Sequence, residues 1–214
     1  MNSEIPKNSK MKLSALLIAG VLVSVGVISF FLFGNSTNGI NKCSNGPECF
    51  IPFSRTTFPE YGNVFPSNLG DCTFAAAADY VALRQGITPD PAVIGYDYAK
   101  ADPAGNGLTA QQLANYWHAH PLGGYKLDSV VNVDASEMAV KIAVRKYKVL
   151  YVSFQLHTDS ALGPYKTSSG GHAVIIDGFT PRGPLIVTWG ITIQMTWQQW
   201  NYNINSVYYF GLSH

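Results

Sequence analysis

Residues 134–156 read DASEMAVKIAVRKYKVLYVSFQL, and a change of period inside this stretch decides the fold class. Up to Tyr147 the spacing is helical, with Asp134 and Glu137 as acidic starters and Met138, Ile142 and Val149 consistent with a buried stripe. After Lys148 the residues are β-branched and aromatic, which predicts a strand over Val149–Leu156. Toward the N-terminus the signals are helical. Asp71 is placed to cap a helix over Cys72–Gln85, in which Ala75 to Ala78 allow close packing and Gly86 supplies the stop. Pro91–Lys100 forms a second helix, and Thr109 with Gln112 at capping-box spacing opens a third that runs to about His120 before Pro121. Toward the C-terminus, strands are expected over His172–Phe179, Leu185–Trp189 and Val207–Phe210, with a short helix Thr196–Asn203 between the last two. Tyr125–Val133 adds a further strand. Helices first and sheet later give an α+β fold rather than a doubly wound sheet.

The chain has 214 residues, 47% hydrophobic and 13% charged, a composition too apolar for disorder and a length suited to one domain with an extra segment. Lys7, Lys10, Lys12 and Lys42 against Glu4 give the first 42 residues a charge of +3. The remaining 10 basic and 12 acidic groups leave residues 43–214 at −2, so a basic nucleic-acid footprint is absent. Between Leu13 and Asn41 there is no charge, and Leu13 to Phe33 is apolar throughout. A membrane span needs about 20 such residues, a cleavable signal sequence only about 7–15. Residues 1–12 therefore read as a cytoplasmic tail, 13–34 as a transmembrane signal anchor, 35–57 as a tether and 58–214 as the domain, exported beyond the membrane by the positive-inside rule. The alternative is a secreted domain, released by cleavage near Gly34 to Thr37.

Export makes the three cysteines informative. Cys43 and Cys49 flank a Gly46-Pro47 turn signal that brings two sulfurs together, which makes them the expected disulfide pair. Cys72 is left over at the first turn of its helix, where the helix dipole favours a thiolate. The imidazole such a thiolate needs is best supplied by His172, which opens a strand after Ser168-Ser169-Gly170-Gly171. Gly170 and Gly171 leave room beside it for a substrate backbone. His118 and His120 stand two apart on a helix and face different ways, so no metal site is expected there, and no phosphate loop or cofactor motif is present. Trp197 and Trp200 read as packing between sheet and helix.

Asp71-Cys72 before an Ala-rich helix, then Gly171-His172-Ala173-Val174, then Val187-Thr188-Trp189-Gly190, resembles the papain-like cysteine peptidases over about Phe58 to Leu212. Gly-His-Ala with Ile176-Asp177-Gly178 is also similar to the streptopain branch, and the wording around Cys72 and Trp189 looks like a bacterial and phage group of the superfamily. The resemblance implies a helical half and an antiparallel β half with a cleft between them, Cys72 as nucleophile, His172 as general acid and base, Trp189 as a shield over the His172 hydrogen bond, and a peptide or protein as substrate. Two residues depart from it. Papain's oxyanion glutamine falls on Pro66, which has no side-chain donor, and Asn68 is the nearest amide. The family's orienting asparagine falls on Val187 or Thr188, of which only Thr188 can bond the ring, by accepting from Nδ1–H. Asp177 lies about 16 Å along the same strand, too far to orient His172. Beside the nucleophile, Asp71 raises the thiol pKa by its charge, and capping the helix is its favoured role.

These features predict a membrane-anchored thiol hydrolase acting on peptide bonds. The competing expectations are a cell-wall peptidase or amidase, whose Cys and His usually stand closer than the 100 residues here, and a papain-like module that lost catalysis and binds peptides or a partner.

Overall fold

The computed structural model describes residues 49–50, 71–157, 170–188 and 190–214, all within one compact unit, Asn38–His214. The expected cytoplasmic tail, membrane span and most of the tether lie outside the described residues, as do Cys43, Pro66, Asn68 and Trp189. Among the described residues no helix is long and apolar enough to cross a membrane. The elements run β1 (Cys49–Phe50), α1 (Cys72–Gln85), α2 (Pro91–Ala101), α3 (Ala110–Ala119), β2 (Lys126–Val133), α4 (Glu137–Tyr147), β3 (Leu150–Leu156), β4 (Gly170–Thr180), β5 (Gly183–Thr188), β6 (Ile191–Gln194), α5 (Trp197–Asn203) and β7 (Ile204–Ser213). Helices followed by an antiparallel sheet bear out the α+β class.

Local chemistry sets the helix ends. Gly86 closes α1 in the left-handed conformation at φ 65°, its N–H on the Ala82 carbonyl. Asp90 caps α2 over Pro91, while Thr109 and Thr196 open α3 and α5 with full capping boxes. Asp71 departs from its expected role. Its backbone is already helical at φ −75° and ψ −6°, whereas a side-chain cap needs an extended residue, and only its carbonyl holds the first turn.

The sheet is antiparallel throughout, in the order β2-β7-β3-β4-β5-β6, with β1 added against β4. The last strand thus enters the middle, between β2 and β3. Both faces are covered. On one, α1, α2 and α3 pack on Tyr151, Ala173, Ile175, Val187 and Phe210; on the other, α4 and α5 cover Leu150, Val152, Val174, Ile176 and Ile186. This two-sided cover explains why β4 is buried without interruption from His172 to Phe179, and why α1, buried from Thr73 to Ala82, is rich in alanine.

Helix α4 corrects one expectation. It buries Val140, Ala143 and Val144, leaving Met138 66% and Ile142 56% exposed. Both faces of α4 carry apolar side chains, so periodicity selects neither. The face turned to the sheet holds the slimmer residues, and Arg145 lies over the Phe179 ring at 4.9 Å beside them. Of the expected stripe only Val149 is buried, and it lies past the helix end.

One side chain latches α1 to the sheet. β3 pairs with β7 only as far as Tyr208, so the Phe210 backbone has no β3 partner on that side. The Tyr80 hydroxyl serves both groups, donating to the Phe210 carbonyl at 2.8 Å and accepting its N–H at 3.0 Å. Tyr80→Phe strands both groups in the core and should destabilise the fold by about 1–3 kcal/mol. Urea unfolding checks this, and a loss below about 0.5 kcal/mol, the range of an ordinary surface substitution, would contradict it.

Candidate active site

Cys72 is the first residue of α1, half-buried, and carries a free thiol. It packs against the buried cluster that includes Ala173, the residue after His172, and the backbone N–H groups of Ala173 and Thr73 pull its thiol pKa down. The helix N-terminus is therefore seated on the start of β4. His172 and Thr188 are both buried, and the ring Nε2 lies 2.8 Å from the Thr188 hydroxyl. The sheet register makes this contact. Pairing between β4 and β5 stops at Ile175↔Val187, so Thr188 lies one residue beyond the ladder and reaches back to the ring three residues before Ile175. Gly190, at φ 74°, then turns the chain into β6.

The ring nitrogen in this contact differs from the one expected. The sequence assigns Nδ1–H to Thr188, whereas the geometry engages Nε2. The change matters chemically: when Nε2–H donates to Thr188 Oγ1, Nδ1 carries the lone pair and is the base. A strand pattern fixes which face His172 occupies but not how its ring rotates.

Burial dominates the electrostatics. It raises the Cys72 thiol above its ordinary range; the Ala173 and Thr73 N–H groups pull downward, and the Asp71 carboxylate adds to the rise. Burial also lowers His172 to about 4. At neutral pH the resting forms are therefore a thiol and a neutral imidazole, not the preformed thiolate that the helix-dipole reading favours.

Space around the ring is asymmetric. Gly171 is exposed, and a Cβ built on it would meet nothing within 4 Å. Neither packing nor a positive φ requires glycine there, so its effect is the open surface beside His172. Other expected residues divide clearly. Trp200 donates its indole N–H to the Ala135 carbonyl at 2.8 Å and packs edge-on against Trp197, as structural residues. The His118 Nδ1 lies 2.7 Å from the Leu127 carbonyl and His120 stacks on Tyr116, and no metal-holding cluster occurs among the described residues. Asn68 and Trp189 lie outside the described residues, and so does Cys43, the expected partner of the buried Cys49.

Sequence reading missed Tyr151. It is buried on β3 and has the Cys72 charge among its electrostatic neighbours. Its signal in the sequence is only the alternation of a strand, because register alone brings it to α1.

No family model matches the chain, and no curated protein matches it. Among solved structures, the fold is similar to xylellain, a cysteine protease from Xylella fastidiosa, with a TM-score of 0.57 over 78% of this chain and 87% of that one, at 13% sequence identity. At that identity the likeness concerns the fold alone.

Proposed function

We propose that the chain is a papain-like thiol hydrolase that cleaves peptide bonds through Cys72 and His172. The observation that carries this reading is the joint placement of the two groups: Cys72 opens α1 packed against the cluster that holds Ala173, and the preceding residue, His172, has its ring bonded at Nε2 to Thr188. The fold shared with a cysteine protease supports it.

In this mechanism His172 Nδ1 takes the thiol proton as sulfur attacks the substrate carbonyl carbon. Charge develops on the carbonyl oxygen. The Cys72 backbone N–H, in the first helical turn where no intrahelical carbonyl reaches, is one candidate donor to it, and Asn68 is another in place of the side chain Pro66 lacks. The imidazolium then protonates the leaving amine, giving an acyl-enzyme and a free N-terminus. Water, deprotonated by Nδ1, attacks the thioester carbon, and the acid leaves as the thiol is restored. Gly171, exposed and with open space where a Cβ would stand, leaves the approach to the ring open.

The apolar run Leu13 to Phe33 and the lysines before it support a single-pass anchor with the domain outside the cytoplasm, and Cys43 with Cys49 supports a short disulfide-closed loop in the tether. A second reading, a peptide-binding module without turnover, draws on one observation: burial favours the uncharged forms of both Cys72 and His172 at rest.

A peptide electrophile followed by mass spectrometry separates these readings. Cys72 should be the residue modified; Cys72→Ser should abolish hydrolysis, and His172→Ala should cut turnover by about 10²–10⁴-fold. Thr188→Ala should lower kcat by about tenfold with little change in KM or Tm, the cost of one lost hydrogen bond to a group that becomes charged. Modification of Cys72 that is indifferent to His172→Ala, without hydrolysis, would leave the binding module as the better account. For topology, protease added to intact cells should remove the domain and spare the first dozen residues; a domain protected inside would overturn the anchor.

A further inference from the structure

Tyr151 stands on β3 opposite Ile175 of β4, with Ser153 opposite Ala173. Side chains alternate along a strand, so Tyr151 shares a face with Ala173 and lies on the diagonal from it, about 7–8 Å away, which is within reach of an aromatic side chain. Ala173 is the residue whose N–H lowers the Cys72 thiol pKa. Tyr151 and Ala173 belong to one buried cluster, and Cys72 packs against it. The Tyr151 hydroxyl is shut off from solvent and makes no hydrogen bond among the described residues. An enclosed hydroxyl without a partner is unfavourable, and the isosteric phenylalanine would relieve it. Tyrosine at this position therefore calls for another explanation.

The surrounding charges supply one. Burial, then Cys72 and then Tyr208 raise the phenol well above its ordinary range, so it keeps its proton and serves as a donor. The ionisable groups around the pair are Asp71 just before α1, His172 on β4 and Tyr208 on β7. Of these, Asp71 opposes a thiolate. A neutral thiol asks little of a neighbouring donor, whereas a thiolate is a strong acceptor.

We propose that the Tyr151 hydroxyl is a second hydrogen-bond donor to the active-site sulfur, engaged when Cys72 ionises and offsetting the Asp71 carboxylate beside it. The thiol proton goes to His172 Nδ1, the phenol proton stays on its own oxygen, and the sulfur gains O–H···S⁻ beside the Ala173 N–H. This role rests on the thiol-hydrolase reading, but its measurement does not require turnover.

The test is the rate of iodoacetamide alkylation of Cys72 across pH in the full chain, followed by mass spectrometry of the Cys72 peptide. Tyr151→Phe should slow alkylation about tenfold at fixed pH and move the profile upward by about one unit, with Tm unchanged or raised. A fluorinated tyrosine at position 151, a stronger donor, should move the profile downward. A profile unmoved by either change would overturn the proposal, whether Tm rises, as for an unpaired core hydroxyl, or falls, as for a packing residue. Peptide hydrolysis with an unmoved profile removes this proposal alone. A profile that follows Tyr151 in a chain that hydrolyses nothing removes the hydrolase reading and keeps the donor.

Discussion

Where α1 meets β4, Cys72 packs against the buried cluster that includes Ala173, and the geometry of the site follows from that contact. It joins the N-terminus of a buried helix to the start of a strand covered on both faces, so neither partner is free to drift. Ala75 to Ala78 let α1 lie close to the sheet, and Tyr80 fixes the same helix two turns further on through both Phe210 backbone groups. His172 is then positioned by covalent adjacency to Ala173, and its ring by Thr188. Cys72 from the helical half and His172 from the β half are thus brought to the same junction of α1 and β4, although 100 residues separate them in sequence.

The burial that fixes these groups also sets their charge states. It disfavours the thiolate and the imidazolium alike, and Asp71 works against the thiolate again. Neither Cys72 nor His172 therefore carries charge at rest. The site depends on donors that act once charge appears: the N–H groups of Ala173 and Thr73, the first turn of α1, and the Tyr151 phenol. Preorganised donors of this kind fit an enclosed site better than a permanent ion pair, whose desolvation has to be offset even without substrate.

Much of this arrangement is legible in the sequence because it is local. Asp71 through Gly86 delimit α1 at the observed residues, since a left-handed glycine and an alanine run act within one helix. The capping boxes at Thr109 and Thr196 are equally local. Met138 and Ile142 mislead because α4 has apolar side chains on two faces, and only the sheet chooses between them. Strand β6, only four residues long and directly after Gly190, is too short for its alternation to stand out, and β7 extends past its expected ends because β2 pairs with it to Ser213. Cys72 and His172 are visible from residue type and position. Thr188 is reached through a family resemblance, and the ring nitrogen it meets depends on the rotation of the His172 ring, which no strand pattern carries. Tyr151 could not be found from sequence, since its relation to Cys72 exists only across paired strands.

The central claim is that Thr188 fixes the His172 ring so that Nδ1 is a neutral base available to Cys72. Nitrogen-15 magnetic resonance of histidine-labelled protein, with His172 assigned by substitution, reads the tautomer and the charge of that ring directly as pH is varied. The account predicts the Nε2–H tautomer at neutral pH, with protonation deferred to about pH 4 by burial. An Nδ1–H tautomer, or an imidazolium persisting at neutral pH as half of an ion pair, would contradict it.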